Sequence, residues 1–118
     1  HGVNLNLELL NSKIDHPGYQ CDHTAWGVAV CERVNSPNVK LLYDIYHMQI
    51  MEGDLAPTIQ RHLADIGHIQ LADNPGRHEP GTGEINYPFL FDCIDRIGYQ
   101  GWIGCEYIPS TTTAEGLA

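Results

Sequence analysis

The chain has 118 residues, enough for one domain with one core. Its 42% hydrophobic and 18% charged residues are globular composition, and a net charge of −9 argues against a nucleic-acid partner, because an acidic surface repels phosphates. The four cysteines form no C-x-x-C pair and predict reduced thiols in the cytoplasm, and no apolar run is long enough to cross a membrane.

The first predicted unit is a strand, a loop and a helix. Apolar and polar residues alternate over Val3–Leu9, which is the strand period, and a polar loop follows over 11–22. Asp22 or Thr24 is the expected N-cap of the helix, which ends before Pro37. The predicted buried face of this helix consists of Trp26, Val30 and Val34.

The next units repeat this order. A strand over 39–44 is followed by a predicted loop and then by a helix with Asp54 as N-cap and Gly67 at its end. A third strand, 68–72, precedes a long glycine-rich loop over 73–86. The apolar stripe of the second helix is predicted to consist of Leu55, Ile59, Leu63 and Ile66.

A third helix is predicted to open at Pro88 and to end at Gly98, before a fourth strand over 102–106. Strands that alternate with helices predict a parallel sheet with right-handed crossovers. Four such strands fit a small open sheet or half of an eight-stranded barrel. The further side chains expected to be buried are Phe89, Leu90, Ile94 and Ile97 of the third helix, both tryptophans, Trp26 and Trp102, and Cys105 against the helices.

A polar residue stands at the end of each predicted strand. The carboxyl ends of parallel strands meet at one edge, where such folds place their active sites. Three carboxylates and one amide should therefore converge there, and a divalent cation would relieve their repulsion. All-oxygen ligands suit Mg²⁺ or Mn²⁺. The four predicted ligands are Glu8, Asp44, Gln70 and Glu106.

Two cationic or titratable side chains are candidates for substrate binding at the same edge. His47 lies three residues after Asp44 and could donate a hydrogen bond to a substrate oxygen or steady the metal shell. Arg77 lies in the glycine-rich loop and could bind a substrate carboxylate through two parallel hydrogen bonds. The stretch Gly81-Thr82-Gly83 lacks the setting of a nucleotide-binding loop, so nucleotide binding is not expected.

Long runs of the sequence resemble the hydroxypyruvate isomerase family, which belongs to the xylose-isomerase-like TIM barrels. The resemblance covers nearly the whole chain up to about Pro109. It implies an α/β fold in which the four strands are the fifth to eighth of a (β/α)₈ barrel, so that residues 1–118 form one partial domain. The runs that carry it are 42–54, 67–70, 74–88 and 98–107.

The resemblance also implies roles for the candidate residues. The family's metal ligands map onto the four strand-end residues, with Gln70 where related ketose epimerases usually have histidine. The substrate-binding histidine and arginine of those epimerases map onto His47 and Arg77. Their two proton-transferring glutamates map onto Glu8 and Glu106, with Glu106 taken as the base or the two roles exchanged.

The implied reaction is a metal-assisted aldose–ketose isomerisation of hydroxypyruvate to tartronate semialdehyde through a metal-stabilised enediolate. Four alternatives stay open: the same chemistry on a 2-oxotetronate or similar hydroxy-keto acid, a ketose 3-epimerase, a non-catalytic metal-binding module, and a zinc-dependent DNA-repair nuclease. The last is disfavoured by the acidic net charge and by a ligand set without histidine.

The resemblance leaves the first half of the barrel unaccounted for. A half-barrel would expose two strand edges and a large apolar face. The chain is therefore expected to pair with a second copy as a homo-oligomer, to belong to a longer protein with an N-terminal half-barrel, or to be incomplete. Activity of these 118 residues alone is not expected, because the missing half would supply part of the substrate pocket.

Overall fold

The structure, a computed structural model, describes residues 2–117 and contains one parallel four-stranded sheet in the order β1-β2-β3-β4. The strands are β1 (Leu5–Glu8), β2 (Val39–Asp44), β3 (Ile66–Leu71) and β4 (Ile103–Cys105). The helices are α1 (Thr24–Val34), α2 (Ile45–Met51), α3 (Leu55–Arg61), α4 (Tyr87–Arg96) and α5 (Thr113–Gly116), with a 3₁₀ turn over Leu63–Asp65. The predicted parallel α/β architecture is confirmed.

The strand register places the carboxyl ends of all four strands at one edge of the sheet. Asp44 of β2 lies directly beside Gln70 of β3. Glu8 pairs with Leu42, two residues before the end of β2, so β1 is staggered relative to its neighbour. Such a stagger between neighbouring strands is what closing a sheet into a barrel requires.

The core lies between the sheet and the helices. Leu41 and Tyr43 of β2 are fully buried, and Gly27 of α1 lies over the sheet. A β-carbon at Gly27 would lie 2.8 Å from a methyl group of Leu41 and 2.9 Å from one of Leu9. Glycine at this position therefore lets α1 approach the sheet closely.

Shortening Leu41 is expected to destabilise the fold strongly. Leu41→Ala should lower the free energy of unfolding by about 2–5 kcal/mol, because it removes buried methyl groups and leaves a cavity under α1. Denaturant unfolding measures this loss. The neighbouring Leu42 is partly exposed, so Leu42→Ala is the matched control and should cost less. Equal losses would contradict the assignment of Leu41 to the core.

The segment 45–51 was predicted as a loop, and this prediction is wrong because the segment forms α2. Its first four residues are all buried, so the sequence shows no polar face by which a helix could be recognised. The stripe predicted for the next helix is wrong beyond Ile59: α3 ends at Arg61, and Ile66 begins β3. Gly67 is accordingly a strand residue and not a helix end.

Several predictions of buried side chains are also wrong. The face of α1 that packs on the sheet contains Thr24, Gly27 and Cys31, so Trp26 and Val34 point away and are largely exposed. Helix α4 buries Tyr87, Leu90 and Ile94, whereas Phe89 is 52% exposed. Cys105 of β4 and Trp102, the residue before β4, are both exposed. Among the described strands, β4 has only β3 as a neighbour, so its other edge is uncovered.

The helix starts are stabilised partly as predicted. Asp54 stands at the N-cap of α3, as expected, although its side chain makes no capping bond. The N-cap of α1 is His23 and not Asp22 or Thr24. Instead, the carboxylate of Glu52 accepts hydrogen bonds from the backbone N–H of Thr24 at 3.1 and 3.2 Å. Glu52 thus accepts from the backbone N–H of Thr24 at the start of α1, where the side chain of the N-cap residue His23 makes no capping bond.

Within residues 2–117, none of the helices has both the length and the apolar character needed to cross a membrane.

Candidate functional site

The four residues predicted as metal ligands lie at the carboxyl edge of the sheet. Glu8 and Asp44 are the last residues of β1 and β2, Gln70 is the penultimate residue of β3, and Glu106 directly follows β4. One potential ligand atom each from Glu8, Asp44 and His47 lie within 4.8 Å of one another. Glu106 is outside that trio, but its Oε2 accepts a 2.8 Å hydrogen bond from the amide Nε2 of Gln70.

Asp44 is the most deeply buried of these carboxylates, with a side chain that is 1% exposed. Its Oδ1 accepts a hydrogen bond of 3.0 Å from the backbone N–H of His47, so Asp44 is also the N-cap of α2. Burial raises the pKa of the Asp44 carboxyl to about 6, an effect that the nearby charges of Glu8 and Glu106 increase and that Arg77 opposes. The carboxyl is therefore largely ionised at neutral pH and takes up a proton as the pH falls toward 6.

Glu8 shares this environment. Its side chain is partly buried, and burial together with the charge of Glu106 raises its pKa, while Arg77 and His16 lower it. A carboxyl with a raised pKa holds and releases a proton more readily near neutral pH than an exposed one does. Its environment therefore suits either a ligand or a proton-transfer group.

Arg77 connects the glycine-rich loop to the site. Its guanidinium donates to Oε2 of Glu106 at 2.6 Å, lies 3.9 Å from Oδ2 of Asp44, and stacks over the ring of Tyr46 at 5.1 Å. Arg77 has a left-handed backbone with φ of 57°, which costs a residue other than glycine about 1–3 kcal/mol. Such strain is characteristic of functional positions, and here it accompanies a side chain directed at two carboxylates.

The loop that carries Arg77 is held by a buried carboxylate. Asp73 is fully buried, and its oxygens accept hydrogen bonds from the backbone N–H groups of Asn74, Gly81 and Ile85 at 2.9, 2.7 and 3.1 Å. Three bonds to one carboxylate fix the fold of an otherwise irregular segment. The loop that carries Arg77 is therefore an ordered part of the site.

His47 is fully buried in the first turn of α2. Its Nδ1 lies 2.7 Å from the amide Nδ2 of Asn11, and its Nε2 has no hydrogen-bond partner in the described part of the chain. Burial, with the charges of Arg77 and His16, lowers the pKa of His47 to about 4. The imidazole is accordingly neutral at physiological pH.

Three residues that surround His47 were not predicted from the sequence. Asn11 and Asp15 lie in the loop after β1, and Asp15 accepts hydrogen bonds from Asn11 at 2.6 Å and from the hydroxyl of Tyr46 at 2.9 Å. The signal for Asn11 was its spacing: it lies three residues after Glu8, as His47 lies three residues after Asp44. Nothing comparable marks Asp15 or Tyr46.

The chain is similar to curated isomerases. It is 49% identical over 116 residues to the 2-oxo-tetronate isomerase of Cupriavidus necator and 50% identical over 115 residues to the hydroxypyruvate isomerase of Escherichia coli. These alignments cover 98% and 95% of the chain but 44% and 45% of the relatives. The chain therefore spans less than half the length of these relatives, and the predicted resemblance to hydroxypyruvate isomerases is confirmed.

The fold is also that of a solved relative. A crystal structure named AP endonuclease, family 2, from Brucella melitensis superposes with a TM-score of 0.95 and 46% sequence identity, covering 100% of this chain and 45% of that one. The predicted partial TIM barrel is thereby confirmed, whereas the assignment of the strands as the fifth to eighth stays a prediction. The family model described as xylose isomerase-like TIM barrel matches residues 1–118. The chain belongs to the family of xylose isomerase-like TIM barrels.

Proposed function

We propose that the whole protein is a metal-dependent aldose–ketose isomerase of a small hydroxy-keto acid, with hydroxypyruvate as the substrate and tartronate semialdehyde as the product. The observation that carries the proposal is the placement of Glu8, Asp44, Gln70 and Glu106 at the carboxyl edge of one parallel sheet, with His47 within 4.8 Å of Glu8 and Asp44. The names of the two curated relatives supply the reaction class, since both are isomerases.

The donor set fits a divalent cation. Carboxylate and amide oxygens of Glu8, Asp44, Gln70 and Glu106 are hard ligands, which Mg²⁺ and Mn²⁺ prefer. The negative charge of Glu106 raises the pKa of both Glu8 and Asp44, and the guanidinium of Arg77 lowers both. When bound, such an ion would polarise the substrate carbonyl and stabilise negative charge on its oxygen.

The side chains around this cluster supply the remaining functions. Glu106 removes a proton from the hydroxyl-bearing carbon next to the carbonyl and Glu8 delivers one to the former carbonyl carbon, or the two roles are exchanged. The proton of the hydroxyl group passes to the former carbonyl oxygen, so the substrate gains and loses no atoms. Arg77 binds the substrate carboxylate, for which its planar pair of donors is suited. His47 donates a hydrogen bond from Nε2 to a substrate oxygen, because that buried nitrogen has no partner among the described residues.

Cation affinity should depend on pH through Asp44. With a pKa raised to about 6, this carboxyl carries a proton at lower pH, and a cation must displace it. Mn²⁺ affinity is expected to be constant well above pH 6 and to fall by about tenfold per pH unit below it. Calorimetric titrations from pH 5 to 8 measure this, and Asp44→Asn should bind weakly without that step. An affinity independent of pH over this range would show that Asp44 carries no proton there, and unchanged affinity of Asp44→Asn would exclude Asp44 as a ligand.

The choice of substrate is decided by product analysis. The whole protein, loaded with Mn²⁺, is incubated with hydroxypyruvate, a 2-oxotetronate or a ketose, and the products are identified by NMR. A 2-oxotetronate isomerase is the second candidate, because one relative with 49% identity bears that name. A ketose 3-epimerase would return the proton to the carbon that lost it. Saturable metal binding without turnover on any of these compounds would indicate a non-catalytic module.

The proposed partner is thus a small hydroxy-keto acid or ketose. A cytoplasmic location is proposed from the four cysteines, all of which are free thiols in the described structure.

A further inference from the structure

Asn11 is a fully buried polar residue in the loop after β1, and its own orientation is fixed by the backbone. Its Oδ1 accepts hydrogen bonds from the N–H groups of Ile14 at 3.1 Å and Asp15 at 2.9 Å. A rotated amide would place its NH₂ group against these two donors. The oxygen of Asn11 therefore faces the loop, and its nitrogen faces the site.

The amide nitrogen of Asn11 has two hydrogens and two partners. It lies 2.6 Å from Oδ2 of Asp15 and 2.7 Å from Nδ1 of His47. Because an amide nitrogen only donates, Nδ1 of His47 must accept. A neutral imidazole has one protonated nitrogen, so the proton of His47 is on Nε2.

Nε2 of His47 is the atom that belongs to the candidate functional site. It is buried and without a partner within residues 2–117, and His47 belongs to the same cluster as Glu8 and Asp44. Geometry alone would allow this nitrogen to bind a cation. A protonated Nε2 has no lone pair for a cation, however, and offers a hydrogen-bond donor instead.

We propose that Asn11 is a positioning residue that fixes His47 as the Nε2–H tautomer, the form that the substrate hydrogen bond of the proposed function requires. Asp15 keeps the amide in place, and the hydroxyl of Tyr46 in turn donates to Asp15 at 2.9 Å. The role toward substrate rests on the proposed function, whereas the tautomer is a property of the protein alone. The two statements can therefore fail separately.

Nitrogen-15 NMR of the imidazole groups tests the tautomer at pH 7 without substrate. The resonances of His47, one of seven histidines, are identified by their absence from His47→Gln. We expect Nδ1 to resonate as an unprotonated nitrogen and Nε2 as a protonated one. The same protonation pattern should persist after Mg²⁺ is added at saturating concentration; Mg²⁺ is used because it is diamagnetic, unlike Mn²⁺. A protonated Nδ1, or loss of the Nε2 proton on adding Mg²⁺, would overturn the proposal.

A double variant replaces the donor that residue 11 presents to His47 by an acceptor and leaves the net charge unchanged. In Asn11→Asp combined with Asp15→Asn, residue 11 still has an oxygen for the two backbone N–H groups but presents an acceptor to His47. The proton of His47 should then move to Nδ1. The single variant Asp15→Asn is the matched control, because it retains the amide donor of Asn11 and should leave the proton on Nε2. Both variants are first checked for folding by thermal unfolding.

Steady-state kinetics separate this role from a structural one. The double variant should lower kcat/KM by about tenfold, the value of one hydrogen bond to substrate, and Asp15→Asn should change it less. An Nε2–H tautomer that the double variant leaves in place would refute the role of Asn11. A tautomer that moves with no change in kcat/KM would refute the donation to substrate. If the protein shows no turnover, the proposed function fails. The NMR result still decides which nitrogen of His47 carries the proton.

Discussion

Glu106→Gln is expected to fold normally and to lower kcat of the isomerase reaction by about 10²–10⁴-fold, the usual contribution of a positioned acid or base. The glutamine side chain has the same shape as glutamate, and its oxygen can still accept from Gln70 and Arg77, which bond to Oε2 of Glu106. It cannot take a proton from carbon. The loss should therefore appear in kcat of the whole protein with hydroxypyruvate, with little change in the midpoint of thermal unfolding.

Glu32→Gln is the control for this experiment. Glu32 is exposed on α1, so the same chemical change there should leave turnover unaltered. Glu8→Gln completes the set, because the proposed mechanism needs both carboxylates. Near-normal turnover of Glu106→Gln would remove Glu106 from proton transfer and would leave Glu8 as the single candidate base.

Asp44→Ala is expected to abolish saturable binding of Mn²⁺ in a calorimetric titration. Changes to residues that only support metal ligands cost about 10–100-fold in affinity, so the loss of a buried ligand should exceed that range. The substitution also removes the N-cap of α2, which should cost about 0.5–2 kcal/mol of stability. Unfolding curves must therefore show that the variant is folded under the titration conditions.

Asp92→Ala is the matched control, because Asp92 is an exposed carboxylate on α4 and does not belong to the strand-end cluster. Its Mn²⁺ affinity should equal that of the unmodified chain. If Asp44→Ala is folded and still binds one Mn²⁺ with unchanged affinity, the cation lies elsewhere and the ligand set proposed here is wrong.

The sheet was the part of the fold best predicted from sequence. Each strand contains apolar residues and has a polar residue at or beside its carboxyl end, and the order of strands and helices leaves a parallel arrangement as the simplest solution. Helix α2 escaped prediction because Ile45, Tyr46, His47 and Met48 are all buried, so hydrophobic periodicity carries no information there. Tertiary burial, and not local preference, makes this segment helical.

The buried faces of the helices were predicted less well. Sequence spacing favoured Trp26 and Phe89 as core residues because they are large and apolar. The structure instead packs Gly27 of α1 on the sheet, since a small residue permits the closest approach. Which face of a helix meets a sheet depends on the shape of the sheet as well as on hydrophobicity.

The candidate site was predicted to the extent that it follows from topology. The shared position of Glu8, Asp44, Gln70 and Glu106 is a consequence of parallel strands and needed only the strand ends. The bond between Arg77 and Glu106 depends on a left-handed backbone in an irregular loop, which no spacing rule anticipates. The contact of Asn11 with His47 joins residues 36 positions apart through loop geometry.

The double use of Asp44, as a strand end and as a helix cap, couples β2 to α2 through one side chain. Oδ1 accepts a hydrogen bond from the backbone N–H of His47, whereas Oδ2 faces Arg77 across 3.9 Å. The capped first turn of α2 carries His47, so the same carboxylate that stands in the candidate site also fixes where the histidine begins its helix. A change at residue 44 therefore displaces the start of α2 together with the strand end.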